Sequence, residues 1–141
     1  MRIYLSAAMT NAARNPGAVG VLLSHLEALG HEVPTSHVAA PDGRSRDAEL
    51  TNAQLAQRDL SWVTSCDALV AEVSTPSHGV GIEVLAATRG GKPVLLLHSY
   101  EAAVSRLLLG LPGVETYPYK SVHDACGVVD AFLTRINSRA S

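Results

Sequence analysis

Residues 67–83, DALVAEVSTPSHGVGIE, carry three signals in immediate succession. Ala68 to Val73 is an apolar run without polar alternation, as in a strand buried on both faces. Ser74 to Gly79 is a turn of small residues, and Val80 to Arg89 has a helical pattern that stops at Gly90-Gly91. Strand, turn and helix in that order are half of a βαβ unit. The same alternation recurs on either side. Ile3 to Ala7 reads as a first strand, and Asn15-Pro16 opens a helix with Val19, Leu22, Leu23, Leu26 and Leu29 on one face. His31 to Thr35 is a short second strand, and Ser36 to Ser45, with Pro41, Asp42 and Gly43, reads as a loop. Asp47 to Ser65 is predicted helical, with Leu50, Leu55, Leu60 and Val63 as its buried stripe. Pro93 to His98 is the next strand, Glu101 to Leu109 a helix, Glu115 to Tyr119 a fifth strand and Val122 to Ile136 the last helix. Five strands interleaved with five helices predict an α/β, doubly wound, flavodoxin- or Rossmann-like parallel sheet with helices on both faces. Its ligand site is expected at the carboxyl ends of the strands.

The 141 residues fit one domain, 1–141, and 47% hydrophobic residues suffice for a sizeable core. A net charge of −2 excludes a basic footprint for a nucleic acid polymer or an anionic membrane. No apolar run approaches the ~20 residues that span a bilayer. MRIYLSAAMT reads as a strand rather than a signal peptide. Cys66 and Cys126 stand far apart without ligand-like neighbours, so neither a disulfide framework nor a zinc site is expected, and the cytoplasm is the expected compartment. The six histidines show no metal-ligand spacing. No GxxxxGK[ST], GxGxxG or GxSxG motif occurs.

The chemistry concentrates after Val73. Gly79 and Gly81 allow backbone N–H groups close to a ligand, the helix start suits a phosphate, and Ser77 adds a hydroxyl. Glu83, in the first turn or just beyond, is either a nucleophile kept ionised by the helix field or a surface complement to the dipole. Asp59, in Gln57-Arg58-Asp59-Leu60-Ser61-Trp62, reads as a solvated acid, an Arg partner or a site group. Strand alternation points the Tyr4 ring away from the face of Ile3 and Leu5. His37 and His78 are each either ligand contacts or merely exposed.

Taken together, these segments resemble the 2′-deoxynucleoside 5′-phosphate N-hydrolase family, within the nucleoside deoxyribosyltransferase-like group. The resemblance runs from Ile3 to about Leu109. Its pieces are Ile3-Tyr4-Leu5, Thr35-Ser36-His37-Val38-Ala39, Asp59-Leu60-Ser61-Trp62, Val70-Ala71-Glu72-Val73, Pro76-Ser77, Gly79-Val80-Gly81 with Glu83, and Val104-Ser105. The resemblance implies that Glu83 attacks the anomeric carbon, that Asp59 positions the sugar and assists protonation of the departing base, and that Tyr4 bonds within this carboxylate cluster. It implies that Ser77 and Gly79 hold the 5′-phosphate, and that Ser105 completes that pocket from the other subunit of a homodimer. Ala7, Met9 and His37 fall at sugar or base positions. The substrate implied is a nucleoside 5′-monophosphate, with no metal and no cofactor. Two carboxylates roughly 5 Å apart suit retention through a glycosyl-enzyme intermediate.

The chain departs from the family after the first strand. Where relatives carry a Gly-Ser-Ile-Arg-Gly-like run, it reads Ala7-Ala8-Met9-Thr10-Asn11. The family Arg is therefore missing at Thr10, and Arg14 is the nearest replacement. The sugar preference thus stays open between deoxyribonucleotides and ribonucleotides such as cytidine monophosphate. Two further readings stand beside hydrolysis: deoxyribosyl transfer between bases, and a nucleotide-binding sensor without catalysis. The transferases' C-terminal Asn has no counterpart, since the chain reads Ile136-Asn137-Ser138-Arg139-Ala140-Ser141.

Overall fold

Five consecutive residues of β1 (Ile3–Ala7) and five of β2 (Ala68–Glu72) are all buried, which only a sheet covered on both faces allows. A computed structural model describes residues 1–141. β1 is followed by α1 (Pro16–Ala28), a 3-10 turn at Ser36–Ala39, the single turn α2 (Gly43–Arg46) and α3 (Asn52–Ser65). After β2 come α4 (His78–Arg89), β3 (Val94–Ser99), the single turn α5 (Arg106–Leu109), β4 (Val114–Tyr119) and α6 (Val122–Ala140). The strands lie in the order β1-β2-β3-β4, all pairs parallel.

The sheet has four strands, not the five expected. The predicted second strand, His31 to Thr35, is reduced to one bridge between Glu32 and Arg2. Ile3 N–H donates to the Glu32 carbonyl at 2.8 Å, and Glu32 N–H donates to that of Met1 at 3.0 Å. Pro34 then ends the ladder because it has no N–H. The Thr35 side chain takes over, accepting from Leu5 N–H at 3.0 Å and donating to the Leu5 carbonyl at 2.7 Å. This segment therefore flanks β1 on the side away from β2, which is the flavodoxin-like arrangement with one strand abbreviated.

Helix boundaries moved for local reasons. α3 starts at Asn52 rather than Asp47. Thr51 accepts from Gln54 N–H at 3.2 Å while the Gln54 side chain accepts from Thr51 N–H at 2.9 Å, a reciprocal cap that fixes the start. Residues 36–50, expected as a loop running into that helix, form instead a strap containing the 3-10 turn and α2. Gly43 is wedged there: a Cβ would lie 2.2 Å from the His37 carbonyl oxygen and 2.9 Å from the end of Met9. α4 begins two residues early, with Ser77 as its cap. Of the expected helix Glu101 to Leu109 only α5 forms.

Two apolar layers enclose the sheet. Ile3, Leu5 and Ala7 join α1 residues Val19, Leu22 and Leu26 and α6 residues Val129, Phe132 and Leu133. Tyr4, Leu69, Ala71 and Leu96 join Val63 of α3 and Val80, Val84 and Ala87 of α4. Leu29 and Leu60, placed in buried stripes by periodicity, are exposed. Cys66 and Cys126 are free, buried thiols on opposite faces; burial pushes Cys66 up to about 11. No helix is long and apolar enough to cross a membrane.

Thr35→Val keeps the shape of the side chain but leaves Leu5 N–H and C=O unpaired in a buried position. It is expected to lower unfolding free energy by roughly 1–3 kcal/mol, read from urea denaturation. A loss under ~0.5 kcal/mol would show that the hydroxyl does not hold this margin of the sheet.

Candidate active site

A cavity of about 550 Å³ opens at the carboxyl ends of β1 and β2, where doubly wound sheets hold their ligands. β1 alternation sends Tyr4 and Ser6 to the face of α4. Tyr4 donates its phenol to Glu83 Oε1 at 2.8 Å, and Ser6 donates its hydroxyl to Glu83 Oε2. Glu83 stands in the second turn of α4, not the first. Burial pushes its carboxyl above the usual range, and the charge of Asp59 adds to this; the Ser6 and Tyr4 hydrogen bonds work against both. The Tyr4 phenol is driven far up, first by burial and then by the negative charges of Glu83 and Asp59, so it remains a donor.

The strap forms the opposite wall. His37, Val38, Arg44, Asp47, Ala48 and Leu50 line the cavity, and Leu55 and Asp59 of α3 complete that side. Leu50 and Leu55, expected in the core, are therefore cavity walls. Arg58 ties strap to helix: it donates to Asp47 Oδ1 at 2.8 Å and to Asp59 Oδ1 at 2.9 Å, and its guanidinium lies 4.5 Å from the centre of the Trp62 ring. Asp47 also lies 3.4 Å from His37 Nε2. Burial pushes Asp47 up, but the Arg58 and His37 contacts outweigh it and hold the carboxyl below its ordinary range.

The phosphate-like end is the start of α4. Ser77 Oγ accepts from Val80 N–H at 3.3 Å and keeps its own proton to give. Gly79 presents bare backbone: a Cβ there would meet nothing nearer than Ser77 Oγ at 3.8 Å. A buried network braces the turn before it. Glu72, 4% exposed, accepts from the Tyr119 phenol at 2.9 Å and from the Ser74 hydroxyl. Ser74 Oγ in turn accepts from Ser99 N–H at 2.8 Å. Burial, with Glu72 alongside, pushes the Tyr119 phenol up to about 12.

Tyr4, Ala7, Met9, His37, Asp59, Ser77, Gly79 and Glu83 all line this one cavity. Ser105 does not. It lines an apolar groove of about 820 Å³ on the other side of α4, with Ser77, Ile82, Leu85, Leu107 and Leu108. His78 and Gly81 face that groove too. Thr10 lines the cavity, whereas Arg14 does not: its guanidinium donates to the Val38 and Ala40 carbonyls at 3.1 and 2.8 Å and holds the strap. Ser6 and Asp47 went unnoticed in the sequence. Alternation from Tyr4 was the available sign for Ser6; nothing local marks Asp47.

A parallel α/β sheet with an acid-lined cavity at its strand ends is the architecture of this chain. The chain is 34% identical to a protein of Thermofilum pendens over 137 residues, 94% of this chain and 95% of the other. It is 36% identical to one of Methanosarcina mazei over 122 residues, 84% and 76% of the two chains. Both carry the name 2′-deoxynucleoside 5′-phosphate N-hydrolase 1. The structure of a CMP N-glycosidase from Clostridium botulinum superposes with a TM-score of 0.70 at 23% identity, covering 94% of this chain and 99% of that one, a likeness of fold. No protein-family model matches the chain. The chain belongs to the 2′-deoxynucleoside 5′-phosphate N-hydrolase family and is an N-glycosyl hydrolase.

Because folded Glu83 keeps its proton to higher pH than in the unfolded chain, the folded state binds more protons between the two values. Stability therefore falls as pH rises through that window. Glu83→Gln is expected to melt at a higher temperature than the wild type at pH 7, with the gap closing below the ordinary carboxylate range. Calorimetry across pH reads this directly; a pH-independent gap would place Glu83 in an unstrained setting.

Proposed function

We propose that the protein hydrolyses the N-glycosidic bond of a nucleoside 5′-monophosphate, releasing free base and a sugar 5-phosphate, with Glu83 as nucleophile. The observation that carries this reading is a half-buried carboxylate gripped by Tyr4 and Ser6 inside a cavity shared with a second acid, Asp59. One Glu83 oxygen forms a bond to C1′ while the bond from C1′ to the base nitrogen breaks, its electron pair leaving with the base. Asp59 assists proton delivery to that base, help worth ~10²–10⁴-fold. Water then adds at C1′ and gives its proton to Asp59, the glycosyl ester breaks, and Glu83 returns as carboxylate. Tyr4 and Ser6 favour the ionised form that attacks and partly offset the cost of burial.

The two ends of the substrate match the two ends of the cavity. The 5′-phosphate meets Ser77, Gly79 and the start of α4. Its binding energy, remote from the reacting carbon, orients C1′ against Glu83. The base lies toward the strap, where His37 and Met9 stand. The names of the relatives, with their deoxynucleoside 5′-phosphates, support the substrate class.

Glu83→Ala is expected to abolish base release, a fall of at least ~10³-fold, while the fold is retained. The assay offers each deoxy- and ribonucleoside monophosphate in turn and measures free base. Tight binding without release would favour a sensor, and a new nucleoside formed on adding a second base would favour transfer.

In the same reading the protein works as a homodimer, with Ser105 completing the partner's phosphate pocket. The apolar groove supports this: it shares Ser77 and Val80 with the cavity, and Leu107 on its rim is 80% exposed. Leu107→Glu is expected to give monomers by light scattering and to raise KM for the monophosphate. A wild type that is monomeric at assay concentration and fully active would remove Ser105 from the site.

A further inference from the structure

We propose that Glu72 is a positioning residue for the 5′-phosphate: it holds the turn that carries Ser77 in its binding shape before substrate arrives. The proposal rests on the monophosphate reading and deepens it. Glu72 is the last residue of β2, and alternation with Ala68 and Val70 puts it on the α1 and α6 face of the sheet. Tyr4 and Glu83 work from the other face, so Glu72 takes no part in the carboxylate cluster. It is 4% exposed, yet no cation pairs with it. A carboxylate buried without a cation is costly, and what offsets that cost here is hydrogen bonding. Three donors converge on Oε1: the Tyr119 phenol at 2.9 Å, the Ser74 hydroxyl, and Ser74 N–H at 3.3 Å.

These donors tie the turn to three strands at a single residue. Ser74 follows β2 by one residue, Tyr119 ends β4, and Ser74 Oγ accepts from Ser99 N–H at the end of β3. Beyond Ser74 the turn has little else. Thr75 Oγ1 donates to the Ala13 carbonyl at 3.3 Å and the Asn11 side chain to that of Pro76 at 3.2 Å, both long and at the surface. Pro76 itself offers no N–H. Ser77 comes next, and with it the start of α4. A ligand that binds only the ordered turn has its apparent affinity reduced by the fraction of free molecules in which the turn is ordered. Loss of Glu72 leaves two hydroxyls without their acceptor and lowers that fraction. The bound state is unchanged, so the saturated enzyme turns over as before. Glu72 therefore acts on affinity for phosphate, and not on a ligand that stops short of the turn. With no cation beside it, the oxygen matters and the charge does not. The carbonyl of a glutamine, with two lone pairs, can serve both hydroxyls.

The experiment compares wild type, Glu72→Met and Glu72→Gln. It reads kcat and KM for a deoxynucleoside monophosphate, the Kd of inorganic phosphate by titration calorimetry, and the inhibition constant of the matching nucleoside. Glu72→Met, close in volume but without the acceptor, is expected to raise KM and the phosphate Kd together, by about 10-fold or more. Its kcat should stay within about 2-fold, and the nucleoside constant should not move. Glu72→Gln should stay within about 3-fold of wild type throughout. Equal loss of nucleoside affinity, a fall in kcat matching the rise in KM, an unchanged KM, or a glutamine variant as impaired as the methionine one would overturn the role of Glu72. Where Glu72→Met does not fold, Tyr119→Phe decides: a several-fold rise in phosphate Kd alone supports the proposal, and no rise removes it. A wild type that releases no base from any monophosphate defeats the glycosidase reading. The phosphate titrations still decide the role of Glu72 in that case, and a wild type that binds no phosphate defeats it too.

Discussion

Glu83 lies on the second turn of a helix, and both of its oxygens are met by hydroxyls that arrive on a strand 77 and 79 residues earlier in the chain. A carboxylate drawn out of water resists ionisation, and nearby Asp59 resists it further. The Tyr4 and Ser6 hydrogen bonds pull the other way, toward the ionised form, which is the form a carboxylate nucleophile needs. The rest of the structure can be read as the means of keeping these three side chains in register. β1 and β2 pair from Ile3↔Ala68 to Ala7↔Glu72, α4 follows β2 after a five-residue turn, and Val80, Val84 and Ala87 fix the helix against the sheet. The turn between β2 and α4 is held in its own right by Glu72, Ser74 and Tyr119.

The second wall of the cavity is assembled by charge rather than by packing. Arg58 spans Asp47 on the strap and Asp59 on α3 and rests on Trp62. Arg14 fastens the strap from below through two carbonyls, and Gly43 lets it fold tightly over His37 and Met9. A cation between two acids keeps Asp59 oriented and keeps three carboxylates from repelling one another across a half-dry space. The strap contributes few apolar contacts of its own; Val38 is its one buried hydrophobic anchor.

Elements with strong periodicity were readable from the residues: β1, α1, β2, β3, β4 and α6 all form near their expected ranges. The residues that gather in the cavity were pointed to by the family resemblance; the residue pattern by itself left Glu83, Asp59 and Tyr4 each with a second reading. What escaped has a physical cause in each case. The apolar stripe of α3 looks the same whether it faces a core or a ligand space, so Leu55 was placed among buried residues. The cap at Thr51 and Gln54 is a sequence feature, but an apolar pattern running back to Asp47 masks it. The predicted second strand, His31 to Thr35, is not formed because Pro34 removes a ladder donor and Thr35 answers with a side chain, a substitution no periodicity records. Asp47 and Arg58 meet across eleven residues and a change of direction, which only the fold brings about.

One more consequence attaches to the outer strands. A parallel sheet open on either side offers rows of amide groups on which a foreign chain can crystallise into further strands. On the flank formed by β4, Pro118 stands where such a chain would need a donor. An imino acid at that lateral boundary guards against the runaway stacking that ends in fibres.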